Sequence, residues 1–463
     1  MLGNYFKTSF RHLWHSRLYA ALNVIGLAVG ITCMLLAILY WNNEHSFDGF
    51  HGNNPNLYRI TTTTVENKDA SAQTTGGTGQ VQGAAFKEAV PEVKSYVRIL
   101  GGDIYNDFFA NNKTIRLRPL FVDANFFDVF SFHLLRGNSK NVLNDVGSVV
   151  LTESTAKKFF NTIDVVGKLL QLDADPSFDK LGKPLVVSGI VEDPPANSSI
   201  QFDVLFTFQF MRLSFEDNNW LNAYLGTFVV LQPGADINAV AQKFNNVYAL
   251  HAKEQLAEHF KNYGFDPQIH YGLEPMTEIH FSQLMSAGGN AEGGVVNGSS
   301  PAYSYMFAGI AFFILLMAAI NFINITIANS LKRAKEVGVR KIAGSSKRQI
   351  ISQFLVESSI LCFIAFVLSL ILMNSALPIF NSLTGRQILL SEVFNAKVLS
   401  AFILLLALII LLTGFYPAFV LSNFKPAEVL YNKQKLSGRN LFGRTLVIAQ
   451  FSLAAFLLIA TIV

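Results

Sequence analysis

Residues 332–357 read KRAKEVGVRKIAGSSKRQIISQFLVE and lie between two long apolar runs. Lys332, Arg333, Lys335, Arg340, Lys341, Lys347 and Arg348 stand against one acid, Glu336, before Glu357 is reached. A short basic loop between two membrane spans belongs on the cytoplasmic side. Gly344-Ser345-Ser346 predicts a turn, and Ser346 with Gln349 three residues on predicts a capping box that opens a new helix. The segment is therefore expected to be a short helix, a turn and a second helix running into the membrane, a shape suited to docking in the cytoplasm. Gln349, Gln353 and Glu357 recur every four residues as one polar stripe, with Ile350, Ile351, Phe354 and Leu355 off it. The stripe predicts an amphipathic helix start at the inner interface and a transmission route into the span. An acid within a membrane helix is a functional candidate; for Glu357 a paired structural acid is the simpler reading.

Upstream, residues 303–329 form a span in which Asn321 and Asn324, three apart, share one face. Polar side chains in lipid hydrogen-bond to neighbouring helices, so packing is preferred over a substrate-facing role. Downstream come a span at 350–373, an outer loop at 374–397 with only Arg386 and Lys397 as basic residues, and a span at 398–421 that Pro417 is expected to bend. Lys425, Lys433, Lys435, Arg439 and Arg444 then form a basic inner flank, and 445–463 is apolar again. This last run reads as the start of a fifth span, either a second copy of the unit begun or a terminal anchor. At the other end, residues 1–19 place Lys7, Arg11 and Arg17 among aromatic and aliphatic residues, as a cytoplasmic interfacial helix or a plain basic flank. Residues 20–41 carry no charge over a length that crosses a bilayer. No A-x-A cleavage site follows, so a retained span is favoured over a signal peptide. Gly26 and Gly30 offer a small-xxx-small face for close helix packing. The basic loops fall inside and the poorly charged loop outside, which puts the N-terminus in the cytoplasm and residues 42–300 beyond the membrane.

That large segment carries strand-like runs at 57–64, 115–122, 148–151, 185–191, 204–208 and 227–231, and helical stretches at 80–89, 153–160 and 237–260. The mixture predicts an α+β domain, of two lobes on length. The fold class expected for the chain is an α-helical membrane protein of four spans plus the start of a fifth, with this α+β extracytoplasmic domain. Composition agrees: 51% of residues are hydrophobic, 15% are charged, and mean hydropathy is +0.34. The basic residues border spans rather than form an aromatic-interleaved patch, so nucleic acid is not an expected partner. Cys33 and Cys362 both sit in apolar runs and read as small buried residues. No G-x-x-x-x-G-K-[ST] loop, H-E-x-x-H or G-x-S-x-G occurs. His251, His259, Glu254 and Glu258 do not have zinc-site spacing and read as a solvated helix face, so no metal site is expected. The chain is not expected to be an enzyme, and if it uses energy, that energy comes from a partner.

Residues 332–361 resemble the signature of the FtsX-like permease domain, "ExGxRKxxG" then "QFLxES". Here these are Glu336, Gly338, Arg340, Lys341 and Gly344, then Gln353, Phe354, Leu355, Glu357 and Ser358. GFYPAFVLSNFKPAEVL at 414–430 is similar to the family's closing pattern, so the permease domain is expected at 303–430. Residues 121–138, 149–172 and 186–206 resemble a MacB-type periplasmic core domain, expected at 42–300. The resemblance implies the permease subunit of an ABC transporter in the bacterial inner membrane. A cytoplasmic ATPase would hold ATP and magnesium, with no cofactor in this chain. It also implies a second permease unit, as a homodimer or as the second half of an eight-span form, and room for a periplasmic partner protein. On this resemblance Lys335, Glu336, Gly338, Arg340, Lys341, Gly344, Lys347 and Arg348 contact the ATPase, and the outer domain handles a substrate for export or extraction. The alternative, a membrane-anchored sensor with an extracytoplasmic receptor domain, requires a cytoplasmic output domain, and the inner loops are too short for one. A tethered periplasmic hydrolase requires a catalytic constellation, and the sequence offers none.

Overall fold

The structure, a computed structural model, describes residues 17–65, 71–172, 175–282, 284, 293–332, 339, 341–342, 344–422 and 441–462. Most of the expected interfacial helix at 1–19 and of the basic flank after the fourth span lies outside the described residues. The elements begin α1 (Arg17–Glu44), β1 (Leu57–Val65), β2 (Gln73–Thr75), α2 (Gln82–Ala89), β3 (Val93–Gly101), β4 (Asn106–Ala110), β5 (Lys113–Leu117), β6 (Pro119–Val122) and α3 (Phe126–Val129). Next come β7 (Leu134–Arg136), β8 (Ser148–Thr152), α4 (Glu153–Phe160), β9 (Leu169–Leu172), α5 (Pro176–Leu181), β10 (Leu185–Val191), β11 (Val204–Thr207) and α6 (Phe208–Arg212). Then follow β12 (Gly226–Leu231), α7 (Ile237–His251), α8 (Lys253–Tyr263), β13 (Gln268–Pro275), α9 (Pro301–Lys332), α10 (Lys347–Thr384), α11 (Ala396–Ser422) and α12 (Leu441–Ile462). Two compact units result, Met1–His45 with Ala302–Val463, and Ser46–Pro301.

In the first unit, α1, α9, α10 and α11 are long and apolar enough to cross a membrane. Their outward faces carry exposed Ile364, Ile371, Leu404 and Leu411, as lipid-facing surface requires. Leu27, Ile31, Leu35 and Leu39 recur every four residues along α1 and are buried. On α10 the same period runs through Gln353, Glu357, Leu361, Ala365, Ser369, Met373 and Leu377, all buried. Residues four apart form a ridge on a helix surface. The polar stripe is thus the inner end of the ridge that α10 turns toward its neighbours. Small residues let the helices close up: Thr32 Oγ1 donates to Ala28 O at 2.8 Å and reaches Ser369 O at 3.3 Å. The third span is longer than expected. It continues as one helix through 374–384, past Pro378, and stops at Gly385, whose φ of +66° is a left-handed cap. The loop before α11 is correspondingly short. α11 runs through Pro417 to Ser422, close to the expected end of the span.

In the second unit the strands form one hydrogen-bonded path, β13-β1-β12-β3-β6-β11-β8-β10-β9-β4-β5, with β2 on β1 and β7 on β10. The expectation of two lobes meets one compact unit built on this single connected sheet, with its core in three clusters. At one end α2 and α7 cover a core in which Phe86 stacks on Phe244 at 4.3 Å. At the other, Phe108, Phe159, Phe206 and Phe210 gather. Between them lies a third cluster around Phe126, Phe130, Phe132 and Phe228. The strand expected at 115–122 is two strands, broken at Arg118: β5 pairs with β4, whereas β6 lies between β3 and β11. The helix expected at 237–260 breaks at Ala252 into α7 and α8. Strands β3, paired with β12 and β6, and β13, paired with β1 at one end of the path, were not among the strand-like runs of the sequence.

Candidate functional site

The basic segment between the second and third spans is built around the start of α10. Ser346 caps it: Gln349 N donates to Ser346 Oγ at 3.4 Å and Ser346 N donates to Gln349 Oε1 at 2.9 Å, the reciprocal capping box. Gly344 precedes it with φ +96°, a conformation that favours glycine, although a Cβ there would meet nothing within 4 Å. Lys347 and Arg348 are exposed in the first turn. Lys341 is half-buried, and partial burial and then the Lys347 charge hold its ammonium below the usual lysine value. Val339 and Ile342 are 56% and 63% exposed beside these cations. Reading the segment for charge alone passes over these two apolar side chains. Lys335, Glu336, Gly338 and Arg340 lie outside the described residues. The structure divides the polar stripe: Gln349 serves the exposed cap, whereas Gln353 and Glu357 are buried.

The residues singled out for helix packing fall on α1 and α9. A Cβ on Gly30 would stand 2.8 Å from Ala318 Cβ and 3.2 Å from the Leu315 backbone, so only glycine fits this approach. A Cβ on Gly26 would meet only Asn321 Nδ2, at 3.7 Å. Asn321 and Asn324 are both half-buried. One turn beyond Asn321, Tyr19 Oη donates to Thr326 Oγ1 at 3.1 Å. Between α10 and α11, a Cβ on Gly414 would meet Leu355 at 3.0 Å and Ser358 at 3.3 Å, and Cys362 Sγ lies 3.2 Å from Thr413 Oγ1. In the other unit, His251 on α7 stacks on Trp220 and His259 on α8 lies 3.1 Å from Phe265 O.

The far end of α10 holds an ion pair with no local sequence signal. Arg386 Nε sits 2.6 Å from Glu44 Oε1, with the carboxylate side chain fully buried. Glu44 is the last residue of α1, and Arg386 follows the glycine that ends α10. Beside it Asn43 Nδ2 donates to Glu392 Oε1 at 3.3 Å. α10 therefore joins a capped, cation-bearing first turn to a far end clamped onto α1.

Residues 20–247 match the MacB-like periplasmic core domain and residues 308–426 the FtsX-like permease C-terminal domain. The chain belongs to the ABC transporter permeases that join these two domains. It is 19% identical over 422 residues to the ABC transporter permease YknZ of Bacillus subtilis (strain 168), covering 89% of this chain and 95% of that one. It is 22% identical over 316 residues to the macrolide export ATP-binding/permease protein MacB of Mannheimia succiniciproducens. That match covers 67% of this chain but 42% of the relative, so the chain spans about two fifths of that protein. Among solved structures, a permease-protein domain from Porphyromonas gingivalis aligns at 25% identity and a TM-score of 0.41, over 49% of this chain and 91% of that domain.

Proposed function

We propose that this chain is the membrane subunit of an ABC system in the bacterial inner membrane, its N-terminus cytoplasmic. A separate cytoplasmic ATPase docks on the inner segment and drives movement of the extracytoplasmic domain, for export or extraction of a substrate. The observation that carries the reading is the construction of α10. Its inner end is a capped helix start presenting Lys347 and Arg348, with Val339 and Ile342 exposed just before it. Such a mixed apolar and cationic surface suits a partner groove with an acidic rim. The helix is 38 residues long, about 57 Å at 1.5 Å per residue. A displacement at its inner end reaches Arg386, which grips Glu44 at the point where α1 leads on toward the outer domain. ATP and magnesium belong to the ATPase, as the chain has no phosphate-binding loop of its own. A second permease unit, a further copy or a second half, completes the assembly, and a periplasmic partner protein engages the outer domain.

The test is reconstitution with candidate cytoplasmic ABC ATPases from the same cell. Lys341→Glu, Lys347→Glu and Arg348→Glu together are expected to abolish co-purification and stimulated ATP hydrolysis while the melting temperature stays unchanged. Association and stimulation that survive the triple reversal refute the docking assignment.

A further inference from the structure

The outer domain contains a half-open cavity of about 520 Å³, within the size range of small-ligand sites. It lies where β6 and β11 end side by side. These strands run parallel, with Leu120 opposite Leu205, and Asp123 and Phe208 follow their last residues. In open sheets the crevice outside the carboxyl ends of parallel strands is where ligands bind. Arg98, on the neighbouring β3, is the one cation in the lining and Asp123 the one anion. The two satisfy each other. Asp123 accepts from Arg98 N at 2.8 Å, Nε at 3.0 Å and Nη2 at 2.6 Å, while Arg98 Nη1 donates to Gln80 O at 2.9 Å. The guanidinium also lies 4.0 Å over the Phe208 ring. The floor is therefore rigid and electrically balanced, and offers no free charge to select an ion.

The remaining polar groups both donate and accept. Thr207 lines the cavity, is 3% exposed and N-caps α6 in backbone conformation, but its hydroxyl does not make the cap bond. Asn125 spends Nδ2 on Tyr96 O at 2.9 Å and keeps Oδ1 as an acceptor. Asn144 and Gln209 are exposed at the rim. Tyr96 adds a half-buried aromatic ring. Amides and a hydroxyl match a ligand whose own groups donate and accept, and an aromatic ring matches one with an apolar C–H face. We propose that this cavity binds a neutral sugar ring, stacked on Tyr96 and hydrogen-bonded by Thr207, Asn125, Asn144 and Gln209.

The experiment titrates the full chain in nanodiscs with N,N′-diacetylchitobiose, read by calorimetry. Saturable binding with a Kd on the order of 1 mM is expected. Tyr96→Ala and Thr207→Val are each expected to weaken it about tenfold or more, and Tyr263→Ala, at an exposed tyrosine of α8, to leave it unchanged. Asn144→Ala with Gln209→Ala tests the site where Tyr96→Ala impairs folding, since both side chains are exposed. That double variant is expected to weaken binding severalfold at unchanged melting temperature. Absence of saturable binding overturns the proposal, as does affinity untouched by the rim double variant. Equal binding of triglycine or of digalacturonate also overturns it.

Discussion

Replacing Arg386 by leucine is expected to cost about 3–5 kcal/mol of stability, the range for breaking a buried ion pair from one side. The structure sets this magnitude high in the range for a single substitution. Glu44 is fully buried, so water cannot replace the guanidinium 2.6 Å away. Glu44 also closes α1, where the helix dipole opposes an acid and the cation offsets both effects. Removing both charges avoids the stranded carboxylate, so Glu44→Leu with Arg386→Leu is expected to recover most of the loss. The assay is a double-mutant cycle on equilibrium unfolding of the full chain in one detergent, with a coupling energy above about 1 kcal/mol expected from residues in contact. A loss below about 1 kcal/mol for Arg386→Leu alone, or a double variant as unstable as the two singles summed, would show that the pair does not hold these helix ends together.

Gly30→Leu is expected to destabilise by about 1–3 kcal/mol through overpacking against Ala318 and the Leu315 backbone. Gly26→Ala, facing only a movable amide at 3.7 Å, should leave the melting temperature unchanged; equal losses at the two sites would refute the packing account. In the outer domain, burial outweighs the Ser198 and Ser199 hydrogen bonds and pushes the Asp48 carboxyl up from 3.8 to about 6. Its stabilisation is therefore full below pH 3.8 and lost as pH rises through about 6. Burial lowers His51 from 6.5 to about 4, so its contribution is full above pH 6.5 and lost as pH falls toward 4. The two slopes oppose each other in wild type. Asp48→Asn should make the melting temperature fall from pH 6.5 to 4, and His51→Phe should make it rise; matching profiles in both variants would contradict the assignment. Ser346→Ala removes the cap on Gln349 N and is expected to cost roughly 1 kcal/mol, seen as faster amide exchange over residues 347–350. Unchanged exchange there would show that the cap does not order the inner end of α10.

Membrane class, the places of the four spans and the turn and cap at Gly344–Ser346 were legible in the chain because each depends on local chemistry. A bilayer-length apolar run needs no partner to identify it, and a capping box closes within four residues. The FtsX-like and MacB-like motifs were likewise contiguous. What the chain could not display was the direction each side chain faces. The four-residue recurrence of Gln349, Gln353 and Glu357 was visible, yet whether it met water or protein depended on the ridge continuing through Leu361, Ala365 and Ser369 against other helices. Likewise Gly26 and Gly30 looked alike, and only the approach of α9 made one of them sterically indispensable. The split of 115–122 into two strands required knowing that β6 pairs with β3 and β11. Glu44 with Arg386 and Thr207 with Arg98 and Asp123 carry no sequence signal, because residues far apart in the chain become a clamp or a cavity only when tertiary packing brings them together and excludes water.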